Sequence, residues 1–302
     1  MQSATNQSAS SLKIQGLDVD RETDILLEAV SQSQSSEAPQ LKGSVEVEGL
    51  SVSFSRQRQT VQVLDNVNFR IEPGSFVCLL GPSGCGKSTV LNAIAGFVRP
   101  IAGYILVDKQ QVVRPGADRG FVFQQYSLLP WKTTFQNVEL GLKFKGVPRL
   151  ERKELVDDYL HRVGLYKHRN SFPHQLSGGM KQRASIIRAL INSPSVLLMD
   201  EPFAALDAQT RHMMQELLLD IWTEFRTTVL FVTHDIEEAV FLGDRILVMG
   251  VNPGHIKCEL LIPMKRPRHI DDMMTAEFTQ LSRQVFEQIR EETLKSLAAV
   301  SE

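Results

Sequence analysis

One octapeptide constrains this chain more than any other feature: Gly81-Pro82-Ser83-Gly84-Cys85-Gly86-Lys87-Ser88. It fits the pattern G-x-x-x-x-G-K-[ST], and its flanks are those the pattern requires. An unbroken apolar pentapeptide from Phe76 to Leu80 precedes it and reads as a buried strand, and a helical run over 89–97 follows. Glycines let such a segment curl until successive N–H groups point inward at phosphate oxygens. The following helix N-terminus adds positive potential at the same place. Lys87 supplies a point charge for β- and γ-phosphates, the Ser88 hydroxyl is a magnesium ligand, and Thr89 supports the neighbouring phosphate.

The periodicity of the rest agrees with a strand–loop–helix unit of this kind. Strand-like segments fall at 45–54, 67–71, 104–107, 120–123, 196–199, 228–232, 245–249 and 255–261, with helical patterns between them. Met213, Met214, Leu217, Leu218, Ile221, Trp222 and Phe225 recur at steps of three and four, which puts them on one helix face. Strands alternating with helices indicate an α/β fold with a largely parallel sheet. The early cluster over 45–80 implies an antiparallel β portion laid against that sheet. The polar, mainly helical stretch over about 127–180 reads as an inserted helical layer.

Three regions follow. Residues 1–43 are rich in Ser and Gln and lack aromatics, so a disordered polar extension is expected; a docking peptide is the alternative. Residues 44–262 form the α/β domain. Residues 263–302 form a helical tail, in which Lys265-Arg266-Pro267-Arg268 reads as a solvated basic surface ahead of a helix carrying Phe278, Leu281, Val285 and Ile289.

Composition removes several function classes. With 33 basic and 35 acidic residues the net charge is -2, which argues against a polycation for nucleic acid. No apolar run approaches the ~20 residues that span a bilayer, and the N-terminus lacks the basic and apolar regions of a signal peptide. A chain that stays in the cytoplasm is expected. The cysteines Cys78, Cys85 and Cys258 include no C-x-x-C pair, so neither a disulfide framework nor a zinc site is expected. Cys78 reads as a buried thiol. Cys85, inside the loop and near a helix N-terminus that lowers thiol pKa, is a candidate for alkylation.

A second chemical element is Ser195-Val196-Leu197-Leu198-Met199-Asp200-Glu201-Pro202, a buried strand ending in two carboxylates. Asp200 is placed to hold magnesium, through water, and Glu201 to polarise an attacking water. Adjacent strand residues point to opposite faces, so the pair can divide these roles if the strand ends at Glu201. Pro202 favours that ending.

A third element identifies a family. Leu176-Ser177-Gly178-Gly179-Met180-Lys181-Gln182-Arg183 resembles the signature sequence of the ATP-binding-cassette (ABC) ATPases. The family's other motifs follow the same resemblance. Gln124 in Phe121-Val122-Phe123-Gln124 resembles the Q-loop glutamine, Ala205-Leu206-Asp207 the D-loop, His234 in Val232-Thr233-His234-Asp235 the switch histidine, and Phe54 the aromatic that stacks on adenine. The resemblance implies a P-loop NTPase with a RecA-like parallel sheet core, an antiparallel β subdomain and an inserted helical subdomain, with ATP and Mg2+ as cofactors. It implies catalytic roles for Glu201, His234 and Gln124, nucleotide contacts from Phe54, Gly81 to Thr89 and Asp207, and metal contacts from Ser88, Gln124 and Asp200. Ser177, Gly178 and Gly179 open a further helix, over 180–190, and make a second anion site. In the family that site faces the γ-phosphate of a second ATPase subunit in a head-to-tail dimer.

Finer strings narrow the resemblance. PHQLSGGMKQR, LLMDEPFAALDAQTR, VTHDIEEAVFLGDRILVM and NPGHI, with Leu128-Leu129-Pro130-Trp131 after Gln124, are similar to the nitrate/sulfonate/taurine importer ATPases. This implies a peripheral subunit on the cytoplasmic face of the inner membrane. It would serve two permease subunits and a periplasmic substrate-binding protein, and import a small oxoanion (nitrate, sulfonate, taurine or bicarbonate). The aromatic loop ending at Trp131 is where a permease would dock. An exporter or lipid-transport ATPase and a soluble cassette of DNA repair or iron–sulfur assembly stand as alternatives.

Overall fold

The computed structural model describes residues 42–56 and 59–300. The expectations for the N-terminal extension through residue 41 lie outside the described residues. Gly43 is already seated in the fold: its N–H donates to the Asp108 carboxylate at 2.6 Å.

Among the described residues, ten strands form two sheets. The smaller is antiparallel. Its strands β1 (Val45–Arg56) and β2 (Gln59–Ile71) form a long hairpin, and β4 (Ala102–Val107) and β5 (Gln110–Gln111) extend it in the order β2-β1-β4-β5. The larger sheet contains β3 (Phe76–Leu80), β6 (Arg119–Val122), β7 (Val196–Asp200), β8 (Thr228–Thr233), β9 (Arg245–Gly250) and β10 (His255–Leu261), in the order β10-β9-β3-β8-β7-β6. All its neighbours pair in parallel except β10, which lies antiparallel on the edge. The expected parallel core and antiparallel portion are both present.

The continuous apolar runs of β3, β7 and β8 make sense in this setting, because both faces of the large sheet are covered. Alternate side chains of β3 enter two separate cores. Phe76, Cys78 and Leu80 enter the core lined by the helices that follow β7 and shared with the inserted helices, while Val77 and Leu79 enter the one shared with the small sheet and with α1 (Lys87–Ala95). α1 begins two residues earlier than its apolar pattern implies. Gly86, at φ 98°, is its N-cap, and Gly96, at φ 82°, ends it.

The inserted layer consists of α2 (Thr134–Val138), α3 (Leu140–Phe144), α4 (Arg149–Arg162) and α5 (Gly178–Leu190). Thr133 and Gln136 form a reciprocal capping box at the start of α2. Asn137, fully buried, ties down the preceding loop: its amide donates to the carbonyls of Leu129, Lys132 and Thr133, and its oxygen accepts from the Leu129 N–H. Trp131 at the loop tip is 70% exposed.

α6 (Ala208–Phe225) and α7 (Ile236–Leu242) flank β8, and α8 (Ala276–Val300) packs Phe278, Leu281 and Val285 into the core, as the tail pattern implies. The basic run before α8 is not a solvated surface. Arg268 is buried, and its guanidinium donates to the carbonyls of Val240, Phe241 and Gly243, which end α7. Arg266 donates to Leu242 and Asp244 and lies 4.2 Å over the Trp222 ring. A helix C-terminus leaves its last carbonyls without partners, and here two arginines from a distant segment supply them. Among the described residues no helix is long and apolar enough to cross a membrane.

Candidate nucleotide site

Four neighbouring strands of the large sheet, β3, β8, β7 and β6, run parallel, so their C-terminal ends share one edge. The chain leaving β3 is the octapeptide. β8 leads into His234, β7 ends on Asp200 with Glu201 next in the chain, and β6 is followed shortly by Gln124. Motifs far apart in sequence thus meet where open α/β sheets bind ligands.

The octapeptide curls around its own lysine. Lys87, 6% exposed, donates from Nζ to the carbonyl oxygens of Gly81 at 2.7 Å and Pro82 at 3.0 Å. The ammonium is therefore held inside the loop, where it can meet a phosphate. The curl requires glycine at Gly86, because a Cβ there would sit 2.6 Å from Leu64 Cδ2 as well as at positive φ. Ser83, Gly84 and Ser88 are exposed, and Pro82 and Thr89 half-buried. Cys85 corrects the alkylation expectation. It is 2% exposed, and burial pushes its thiol up, the Lys87 charge only partly opposing this. A Cβ on Gly81 would lie 2.9 Å from its sulfur, so the thiol is a packing element under the loop.

The two carboxylates divide as the strand ending implies. β7 stops at Asp200, and Glu201 takes a left-handed φ of 43°. Strain of that kind persists where surrounding structure enforces it; here the Glu201 N–H bonds the Val232 carbonyl at 3.0 Å. Asp200 accepts a hydrogen bond from the Ser88 hydroxyl at 2.9 Å. Its carboxyl is pushed up by burial, with the Ser88 bond opposing. Glu201 turns the other way, its Oε2 lying 3.0 Å from His234 Nδ1. Ser88 and Asp200 thus present hard oxygen donors side by side, a set that suits Mg2+. The Glu201–His234 pair can orient and deprotonate a water.

Ser177 caps α5, accepting from the Met180 N–H at 3.3 Å. Asp207 caps α6, accepting from the Thr210 N–H at 2.9 Å, and this bond holds its carboxyl below the usual range. These two turns abut. A Cβ at Gly179 would meet Thr210 Cγ2 at 2.8 Å, and one at Gly178 would meet the Tyr126 hydroxyl at 3.1 Å and Leu206 at 3.4 Å. Among the described residues, no hydrogen bond or ion pair joins the Ser177 turn to Lys87, Asp200, Glu201 or His234. Gln124 is exposed and makes no side-chain hydrogen bond within the described residues. Phe54 is 43% exposed on β1, opposite Val61.

Two residues at this edge escaped the sequence reading. Glu238 and Arg211 line a small cavity of about 50 Å³ together with Glu201, Phe203, Ala204, Thr233, His234 and Asp235. The spacing of Asp235 and Glu238 is that of a helix N-cap and its third residue, a signal that could have drawn attention to Glu238.

Comparisons with known proteins identify the family. The ABC transporter family profile matches residues 64–204. A nitrate import ATP-binding protein of Synechocystis is 51% identical over 72% of this chain and 82% of its own length. A taurine import ATP-binding protein of Rhizobium johnstonii is 54% identical, covering 70% of this chain and 81% of its own. A solved dimeric ATP-binding cassette, in a post-hydrolysis state bound to ADP and Pi, superposes with a TM-score of 0.65 at 35% identity, over 73% of this chain and all of that one. With the octapeptide, the paired carboxylates and the histidine gathered at one sheet edge, the chain belongs to the ATP-binding proteins of the ABC transporters.

Proposed function

We propose that this chain is the ATP-hydrolysing subunit of an ABC importer, working as a head-to-tail pair of ATPase subunits on two permease subunits at the cytoplasmic face of the inner membrane. The gathering of Lys87, Ser88–Asp200 and Glu201–His234 at the ends of β3, β7 and β8 is the observation that carries the reading. The loop from Gly81 to Thr89 binds the nucleotide's phosphates, and Phe54 stacks on its adenine. Ser88, Asp200 and Gln124 would hold Mg2+, which would neutralise phosphate charge. Glu201 takes a proton from the attacking water, and His234 keeps that carboxylate oriented. Among the described residues, Ser177 and Asp207 bond only within their own helix starts and make no hydrogen bond to Lys87, Asp200, Glu201 or His234, which supports their serving, with Gly178 and Gly179, the partner subunit's nucleotide.

The import direction and the substrate class rest on similarity to nitrate and taurine import proteins. A small oxoanion or organosulfonate, delivered by a periplasmic binding protein, is the cargo. The exposed Trp131 loop, pinned by Asn137, is the permease-facing surface. Uptake by the assembled transporter, measured against nitrate, bicarbonate, taurine and alkanesulfonates, tests this. One of these anions should accumulate with wild-type chain and none with Lys87→Ala. Accumulation that ignores Lys87→Ala, or export in place of uptake, would overturn it.

A further inference from the structure

Behind the Glu201–His234 pair lies a carboxylate to which the motifs above assign no role. Glu238 stands in the first turn of α7 and is 5% exposed. One oxygen accepts from the Gln215 amide at 3.0 Å, and the other accepts from the Thr233 hydroxyl. The Thr233 oxygen also accepts from the Asp235 N–H at 3.0 Å, while the Asp235 carboxylate accepts from the Glu238 N–H at 3.1 Å. The residues on both sides of His234 are therefore tied to one residue. Arg211 closes the arrangement: it lies 3.6 Å from Asp235 and donates to the Leu206 carbonyl at 3.0 Å, beside Asp207.

Burying a carboxylate is costly, and burial pushes this one up. A helix needs no such group to cap it, because Asp235 already does so. What the carboxylate adds is a fixed rotamer for Thr233 and hence a fixed peptide at His234.

We propose that Glu238 is a positioning residue for ATP hydrolysis, acting through Thr233 to hold the main chain over 233–235 and with it the 3.0 Å contact between His234 and Glu201. This rests on the ATPase reading above. Without the carboxylate, the Thr233 hydroxyl and the Gln215 amide lose their acceptors and the His234 segment is free to shift. Lys87 and its loop, on β3, keep their own bonds. The loss should therefore fall on the chemical step and spare nucleotide binding.

The test is steady-state MgATP turnover by the full-length chain carrying Glu238→Ala, Glu238→Gln, Thr233→Val or the Ala/Val pair. A displaced catalytic group costs up to about 100-fold, so Glu238→Ala and Thr233→Val should each lower kcat by at least ~10-fold while KM stays within about 2-fold. The double variant should be no slower than the worse single, since both act through one bond. Glu238→Gln should recover most of the lost rate. Its amide oxygen still accepts from Thr233, and with the Gln215 amide turned over, the Gln215 oxygen, buried and otherwise unpaired, faces the new N–H in place of the Gln215 nitrogen. A Glu238→Ala rate within about 2-fold of wild type, a KM rising in step with the fall in kcat, a Gln variant as slow as Ala, or an unaffected Thr233→Val each overturns the proposal. If Glu238→Ala does not fold, Glu238→Gln and Thr233→Val decide it. Wild-type chain that turns over no ATP overturns the ATPase reading itself; active wild type with insensitive variants overturns only the role of Glu238.

Discussion

Replacing Arg268 with alanine should destabilise the chain far more than loss of a surface arginine would. Its guanidinium donates to the carbonyls of Val240, Phe241 and Gly243 at 2.8–3.1 Å, and to those of Ile262 and Met264 at 3.3–3.4 Å. The first three end α7; the others belong to the strap that leaves β10. Each buried carbonyl left without a partner costs about 1–3 kcal/mol. The three short bonds share one nitrogen, so their losses are not independent. Against them stands relief of a strained ion: burial, with the Arg266 charge beside it, pulls the Arg268 pKa down to about 10. The net expectation is about 3 kcal/mol, within the range for breaking a buried charged contact by removing one partner. For a domain of this size that lowers Tm by roughly 6–12 °C. Tryptophan fluorescence in urea reads it cleanly. Of the two tryptophans, Trp131 is 70% exposed already, whereas Trp222 is 4% exposed beneath Arg266, so the signal change reports the region in question. Lysine should restore little, because one ammonium cannot span both sets of carbonyls. A loss below about 1 kcal/mol would refute the reasoning, since it would approach the ~0.5 kcal/mol within which exposed substitutions usually fall.

Two further outcomes follow from the site. A maleimide should label the native chain at no more than one thiol, Cys258, because Cys78 and Cys85 are buried with their thiols pushed up and stay protonated at neutral pH; mass spectrometry should find all three labelled in denaturant. Labelled Cys85 in the native chain would contradict the packing under Gly81. Ser177→Arg should leave ATP binding by one subunit measurable while abolishing turnover, because its side chain would fill the face offered to a partner; unchanged turnover would show that the Ser177 turn takes no part in a second site.

What could be read from the chain in advance depends on how local the physics is. The octapeptide was legible because glycine and lysine act within eight residues of each other, and β3, β7 and β8 were legible because strands covered on both faces must be apolar throughout. The split between Asp200 and Glu201 followed from a strand end and a proline. Expected strand limits fell short at the small sheet: β2 begins at Gln59, well before the apolar run from Val67, because its first half is a largely exposed edge that needs no hydrophobic alternation. Arg268 was misread for a different reason. The partners of its three shortest bonds lie 25–28 residues away in sequence, and an arginine beside a lysine and a second arginine gives no hint that its guanidinium serves buried carbonyls. Cys85 differs likewise, since its burial comes from packing under Gly81 and within the apolar cluster that also holds Leu64 and Met249, contacts that lie far off in sequence.

Glu201→Gln offers the most direct test of the proposed mechanism's central claim, that this chain closes with a second ATPase subunit, the same chain or a different one, around ATP and reopens when Glu201 drives hydrolysis. The amide is isosteric, keeps the His234 contact within reach and cannot take a proton from water. Sedimentation of the full-length variant with MgATP should show a dimer that retains ATP, whereas the wild type returns to monomer as ATP is consumed. A Glu201→Gln chain that stays monomeric with ATP bound, or hydrolyses ATP at the wild-type rate, would contradict the account.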